Sequence, residues 1–296
     1  PKVRAISVPK NSDEQVVCDY LRGRGIDYSK VKDNYRVVTG TRFFRARGDD
    51  GSGEAAAIGF VYGDNEAVKW RSIEGKRFTQ DGAARSLWGI ERARKAAVKT
   101  LVITEGEIDA LSAASVMPPE VVVVSVPNGA PQAVSNRRVE AEEDTKFSYV
   151  WDAKDVIKSA EKIILATDRD EAGEALAEEL GRRIGRARCW VVEYPGKAKD
   201  LNEVLRDHGA EAVKRCIDEA QAMPLEGVYS VDDYRSEVKH LFTNGVVGGL
   251  STGIAAVDKL FTIVPGQVSI VTGVPGSGKS EFIDQLMVNL ARQHKW

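Results

Sequence analysis

The chain has 296 residues, room for about two domains of ordinary size, and its 43% hydrophobic and 29% charged residues are a globular balance. A mean hydropathy of −0.28 and the lack of any apolar run near ~20 residues exclude a membrane-spanning helix. Cys18, Cys189 and Cys216 are odd in number and widely spaced, which excludes a disulfide framework or a zinc ribbon within the chain. With an N-terminus, PKVRAISVPK, that lacks a secretory core, they predict a reducing, intracellular compartment. The absent initiator Met predicts a start inside a longer protein. The net charge of −2 conceals an asymmetry: residues 1–98 carry 19 Lys and Arg against 13 Asp and Glu, and the remainder 23 against 31. A basic front and an acidic back suit a polyanion at one end and cations at the other.

In chain order, EQVVCDYLRGRG predicts an amphipathic helix stopped by glycine. RVVTGTRFFRARG, AAAIGFVYG and AVKWRSI, rich in β-branched and aromatic residues and separated by GDDGSG and GDN, predict strands joined by hairpin loops. From Thr100 the rhythm changes. LVIT, VVVVSV, KIILATD and ARCWVVEY are short apolar runs, and EIDALSAASVM and EAGEALAEELGRRIG between them are helical. That alternation predicts a parallel α/β sheet buried on both faces, closed by LNEVLRDHG and AEAVKRCIDEAQAM. A connector over 224–249 holds the helix VDDYRSEVKHLFTNG, and a new domain opens near Leu250.

That last domain contains QVSIVTGVPGSGKSEFIDQLMVNLAR, in which Gly273, Gly276, Gly278, Lys279 and Ser280 form GxxxxGK[ST]. An apolar strand is expected before the motif and an amphipathic helix after it, the context a phosphate-binding loop requires. Glycines let backbone N–H groups wrap phosphate oxygens, Lys279 reaches the β- and γ-phosphates, and Ser280 serves Mg²⁺. ATP is the expected ligand. Hydrolysis needs a further acidic strand and a water-orienting group, which the 16 residues after Ser280 do not supply.

Three acidic signals fall in the parallel unit. Glu105 ends one strand with Asp109 on the next helical turn, Asp168 and Asp170 follow another strand, and Asp200, Asn202 and Glu203 follow a third. In open α/β sheets sites form outside the carboxyl ends of strands, so all three can converge. Alone, each has an ordinary use: Asp170 and Asp200 as helix caps, Asp109 as a first-turn acid. Together five carboxylates repel unless cations lie among them, and oxygen-only ligands suit Mg²⁺ or Mn²⁺.

ITEGEIDAL, ATDRDEAG and KDLNE, in that order, resemble the TOPRIM domain shared by primases, topoisomerases and some nucleases. TOPRIM joined through a helical linker to a P-loop domain is similar to the bacteriophage primase-helicase family and its Twinkle-like relatives, over roughly residues 20–296. The resemblance implies a basic α+β subdomain (1–98), a TOPRIM domain (99–223), a linker with a helix (224–249) and the start of a RecA-like helicase domain (250–296). It implies metal binding by Glu105, Asp109, Asp168, Asp170 and Asp200, with catalysis centred on Glu105, Asp168 and Asp170; whether Glu105 orients the site or assists proton transfer is open. It assigns Lys69, Arg71, Lys76 and Arg77, interleaved with Trp70 and Phe78, to template and nucleotide. PNGA (Pro127–Ala130) is placed beside the same centre, or is an ordinary turn.

The reaction implied is RNA primer synthesis on single-stranded DNA from ribonucleoside triphosphates. The full-length protein is expected to be a hexameric or heptameric 5′–3′ helicase working with a replicative DNA polymerase, in a phage or bacterial cytoplasm or in a mitochondrion or plastid. The alternative is a Twinkle-like helicase whose TOPRIM region only binds single strands. The four-cysteine zinc module of the phage enzymes is missing, which bears on template-directed priming, and the P-loop domain stops early, so unwinding by this chain is not expected. A topoisomerase needs a tyrosine-bearing domain where the P-loop stands. Val231, Tyr234, Val238, Leu241 and Phe242 line one stripe of the connector helix. The stripe predicts docking on a neighbouring subunit in the ring, and a chiefly monomeric short chain.

Overall fold

The computed structural model describes residues 8–9, 12–45, 52–63, 65–95, 98–135, 139–141, 143–225, 227–228, 231–232, 234–245 and 248–294. Most of PKVRAISVPK, most of the expected GDDGSG loop, Asp64 of GDN and Asp233 of the connector helix lie outside them. The chain divides into two units, Pro1–Glu226 and Gly227–Trp296.

The first unit opens with α1 (Glu14–Arg22), started by Asp13, whose carboxylate accepts from the Gln15 and Val16 N–H groups, and stopped at Gly23. The strands β1 (Val37–Phe44), β2 (Gly53–Tyr62), β3 (Ala67–Ser72) and β4 (Phe78–Gly82) form an antiparallel meander. This sheet curls until its edge strands meet, with Arg42 of β1 bonded to Asp81 of β4 at 3.0 Å. Val38, Phe44, Ala57, Val61, Val68 and Trp70 fill the inside of the curl. Gly59 makes room there, since a Cβ at that position would lie 2.6 Å from both Trp70 and Val68.

After α2 (Ile90–Lys95) comes a second sheet of β5 (Thr100–Thr104), β6 (Val121–Ser125), β7 (Lys162–Ala166), β8 (Cys189–Val191) and β9 (Gln221–Ala222), in the order β6-β5-β7-β8-β9. The first four are parallel and β9 is antiparallel. Helices α3 (Glu107–Ala114), α4 (Ser148–Asp152), α5 (Lys154–Ser159), α6 (Glu171–Ile184), α7 (Leu201–His208) and α8 (Ala210–Asp218) connect and cover the strands. The expected parallel α/β sheet is therefore the fold. Runs such as VVVV suit it because both faces are buried and β-branched side chains pack well on a pleated surface.

One apolar core joins the two sheets. Leu21, Tyr35, Phe60, Leu111 and Val204 belong to the same buried cluster. Tyr35 donates to the Val123 carbonyl at 2.6 Å and Trp88 to the Val61 carbonyl at 3.0 Å, fixing the meander against the parallel sheet.

The second unit contains α9 (Arg235–Asn244), α10 (Ala255–Asp258) and α11 (Lys279–Gln293). The connector helix begins at Arg235, not Val231, and all five residues of its expected stripe are exposed. The strand expected before the P-loop does not form: 267–273 pairs with no other segment among the described residues, and Val268, Ile270 and Val271 are exposed. A strand exists through its ladder partners, and this run has none there.

Candidate carboxylate centre and its basic flank

The register of the parallel sheet places the acids. β5 and β7 are neighbours with Thr104 opposite Ala166, so Glu105 and Asp168 leave the sheet side by side at its carboxyl edge. Asp109 lies in the first turn of α3. Asp170 caps α6, accepting from the Gly173 N–H at 2.8 Å, and Asp200 caps α7, accepting from the Glu203 N–H at 2.7 Å. Each cap uses one carboxylate oxygen, so the ordinary structural use and a place at the centre coexist. Gly173 is required: a Cβ there would lie 2.0 Å from the Asp168 carbonyl oxygen, and only its absence lets α6 begin against the Asp168 turn.

The carboxyls act on one another. Burial, then Glu105, Asp200 and Asp170, pushes the Asp168 carboxyl up to about 7. Burial, then Asp200 and Asp168, holds the Asp109 carboxyl well above the usual range. Glu105 is also raised, by burial first and by Asp170, against hydrogen bonds from the Asp168 and Ala130 N–H groups. Ala130 thus brings the PNGA turn to the centre. Oε2 of Glu105 is buried and has no partner.

An oxygen-only donor set with an orphaned buried oxygen and mutually repelling acids fits a hard divalent cation. The side chains stand short of a finished cage: among the described residues no three His, Cys, Asp or Glu side chains are arranged to hold a metal ion.

The basic residues divide. Lys69 pairs with Glu107 at 2.6 Å, and Tyr62 donates to the same oxygen at 2.5 Å. Arg71 lies half-buried over the Phe78 ring with its Nε unpartnered. Burial lowers its pKa, the nearby Arg24 adds to this, and Asp109 and Glu107 oppose it. Lys76 is exposed in the β3–β4 turn. Arg77 lies 5.2 Å over the Phe44 ring, toward the inside of the curl. Trp70, expected among the stacking aromatics, is fully buried and donates to Asp81; it fills the core, while Phe78 is exposed.

Two residues of the centre have no role in the sequence reading. Glu107 carries the Lys69 link, and its signal was a third acid inside an otherwise apolar helix start. Asn202, noted only as one of the residues after the third strand, braces Asp109: its N–H donates to Asp109 at 3.0 Å and its amide to Ser112 and the Arg24 carbonyl.

In the second unit Gly276 and Gly278 have φ of 78° and 80°, in the left-handed region that favours glycine. Lys279 donates to the Gly273 and Val274 carbonyls at 2.9 Å each, and Ser280 follows it in the first turn of α11.

Residues 102–205 match the family described as Toprim-like. The chain is 38% identical over 257 residues to the chloroplastic/mitochondrial Twinkle homolog protein of Arabidopsis thaliana, covering 82% of this chain and 35% of that protein. It is 35% identical over 236 residues to the primase homolog protein of the same plant, covering 76% and 64%. It is 30% identical over 189 residues to the DNA helicase/primase of Enterobacteria phage T3, covering 63% and 31%. The chain thus spans between about a third and two thirds of the length of these relatives. The primase fragment of the bacteriophage T7 primase-helicase shares its fold, with a TM-score of 0.50 and 22% identity over 66% of this chain and 72% of that one. Among the described residues no helix is long and apolar enough to cross a membrane. With the three acidic motifs at one sheet edge, residues 102–205 form a Toprim-like domain, and the chain is similar to Twinkle, primase and phage helicase/primase relatives.

Proposed function

We propose that the carboxylate centre is a primase site, making RNA primers on single-stranded DNA in replication. The 3′-hydroxyl oxygen of one ribonucleotide bonds to the α-phosphorus of the next triphosphate, the P–O bond to pyrophosphate breaks, and the hydroxyl proton passes to water. The observation that carries this reading is the convergence of Glu105, Asp109 and Asp168, whose carboxyls are raised by burial and by neighbouring acids. Glu105, Asp109, Asp168, Asp170 and Asp200 would hold Mg²⁺ or Mn²⁺. A bound divalent ion supplies charge neutralisation at the attacking and leaving oxygens.

Arg71 and Lys76, with Lys69 once released from Glu107, would hold template and triphosphate. Gly273, Gly276, Gly278, Lys279 and Ser280 would bind ATP for helicase action of a full-length hexamer or heptamer beside a replicative polymerase. The positive-φ glycines and the position of Lys279 support that part.

Labelled ribonucleotide incorporation on single-stranded DNA tests the proposal. Synthesis should require Mg²⁺ or Mn²⁺ and fall by at least ~10²-fold in Asp168→Ala, as lost charge stabilisation dictates. Unchanged synthesis in Asp168→Ala and Glu105→Ala contradicts the assignment. A second reading, a Twinkle-like region that binds single strands without priming, is supported by the 38% identity to the Twinkle homolog protein. Strand binding without synthesis by the wild-type chain would select it.

A further inference from the structure

Exposed large hydrophobic side chains are scarce in the first unit: among its described residues they are Phe43, Phe78 and Val134. Two of the three lie on one face of one sheet. Arg71 is directly opposite Phe78 on β4 and Ile58 on β2, and Ile58 is opposite Thr39 on β1. Alternation along β1 carries that face from Thr39 to Phe43. Phe43 and Phe78 therefore point outward, away from the cluster around Trp70, and are 56% and 55% exposed. The sheet curl brings them toward the same seam, because Arg42 of β1 bonds Asp81 of β4 across it. The same outer face continues through Arg71 and Lys69 to Glu107 and the carboxylate centre.

We infer that Phe43 and Phe78 are a base-stacking platform for a single nucleic-acid strand running to the carboxylate centre. The inference rests on the nucleic-acid reading above and adds the surface that takes the bases. Three observations select this occupant. The Arg71 guanidinium lies 5.3 Å from the Phe78 ring, leaving the ring's outer side for a base and adding a cation beside it. Exposed Arg45 and Lys76, each two residues from one of the rings, complement phosphates, beside the exposed acids Glu54, opposite Phe43, and Glu74 in the β3–β4 turn. The platform is also continuous with the candidate centre.

Anisotropy of a fluorescein-labelled oligo-dT and of an abasic strand of equal length tests it, using the whole chain. Phe43→Ala and Phe78→Ala should each weaken oligo-dT binding roughly 5- to 100-fold with an unchanged salt slope. Phe43→Trp and Phe78→Trp should retain binding, and on the abasic strand all variants should bind alike. Thermal unfolding should be unchanged, since the rings are exposed. Oligo-dT binding equal to wild type in both alanine variants overturns the inference, as does an equal loss on the abasic strand. Altered self-association with unaltered strand binding makes the patch an interface between copies and also overturns it. In each of these cases the wild-type chain still binds DNA. If wild type binds neither strand, the nucleic-acid reading fails and this platform with it.

Discussion

The carboxylate cluster and the glycine-rich loop of this chain stand in unlike surroundings. The acids of the first unit end strands already held on both sides: β5 has β6 and β7 as neighbours, so Glu105 and Asp168 are delivered by hydrogen-bonded backbone. The P-loop of the second unit has its glycines and Lys279 in order, yet the apolar run before it pairs with nothing among the described residues. A loop motif is local and forms from a few residues, whereas a strand-end site requires a whole sheet. The comparison predicts where rigidity lies.

Hydrogen exchange should show the largest difference. Amides of Leu101 to Ile103 open only with much of the sheet and should exchange at least ~10³-fold more slowly than those of Val268 to Val271. Equal protection in the two segments would show that the second run is paired.

Next in size is the brace behind α6. Glu179, 1% exposed, is bonded by Arg182 and Arg183 and by the Ser135 N–H. Arg183 also pairs with Asp144 at 2.6 Å. Removing one partner leaves buried charge behind, so Glu179→Ala should cost about 3 kcal/mol. For a domain of this size that is a fall of roughly 6–12 °C in Tm. Lys279→Met, at the start of α11, should change Tm by no more than ~1 °C. Equal shifts for both substitutions would erase the contrast between the units.

The fold was legible where periodicity was clean. Four buried strands and the helices between them follow from apolar runs, and the carboxylates from their positions just past strand ends. Side-chain partnership was less legible. AVKWRSI alternates, with Val68 and Trp70 on one face and Lys69 and Arg71 on the other, so strand parity encodes the burial of Trp70 while the interleaving of basic and aromatic residues masks it. The Lys69–Glu107 pair joins residues 38 apart, one on a strand of the meander and the other on a helix of the parallel unit, and Arg183–Asp144 joins a helix to a distant connection. No local pattern encodes either. The missing strand before Gly273 has the opposite cause: its composition is that of a strand, but composition supplies no partner.

The smallest expected effect concerns Asp168. Its carboxyl takes up a proton at about 7 in the folded chain, against 3.8 when exposed. The folded form therefore binds more protons between these values, and stability falls as pH rises from ~4 to ~7. Without divalent ions, Asp168→Asn should raise Tm at pH 8 by several degrees, about 3 °C per kcal/mol relieved. Below pH 4 it should change nothing. A loss of stability at pH 8 would mean that the ionised carboxylate is well solvated.

The central claim is that these repelling acids form a cation site. Mn²⁺ binding by electron paramagnetic resonance, followed from pH 5 to 8, tests it most directly. Protons compete for the same oxygens, so affinity should rise through pH 7 and fall at least ~10-fold in Asp168→Asn and in Glu105→Gln. Binding that is independent of pH and unaltered by both substitutions, or no saturable binding at all, would contradict the claim.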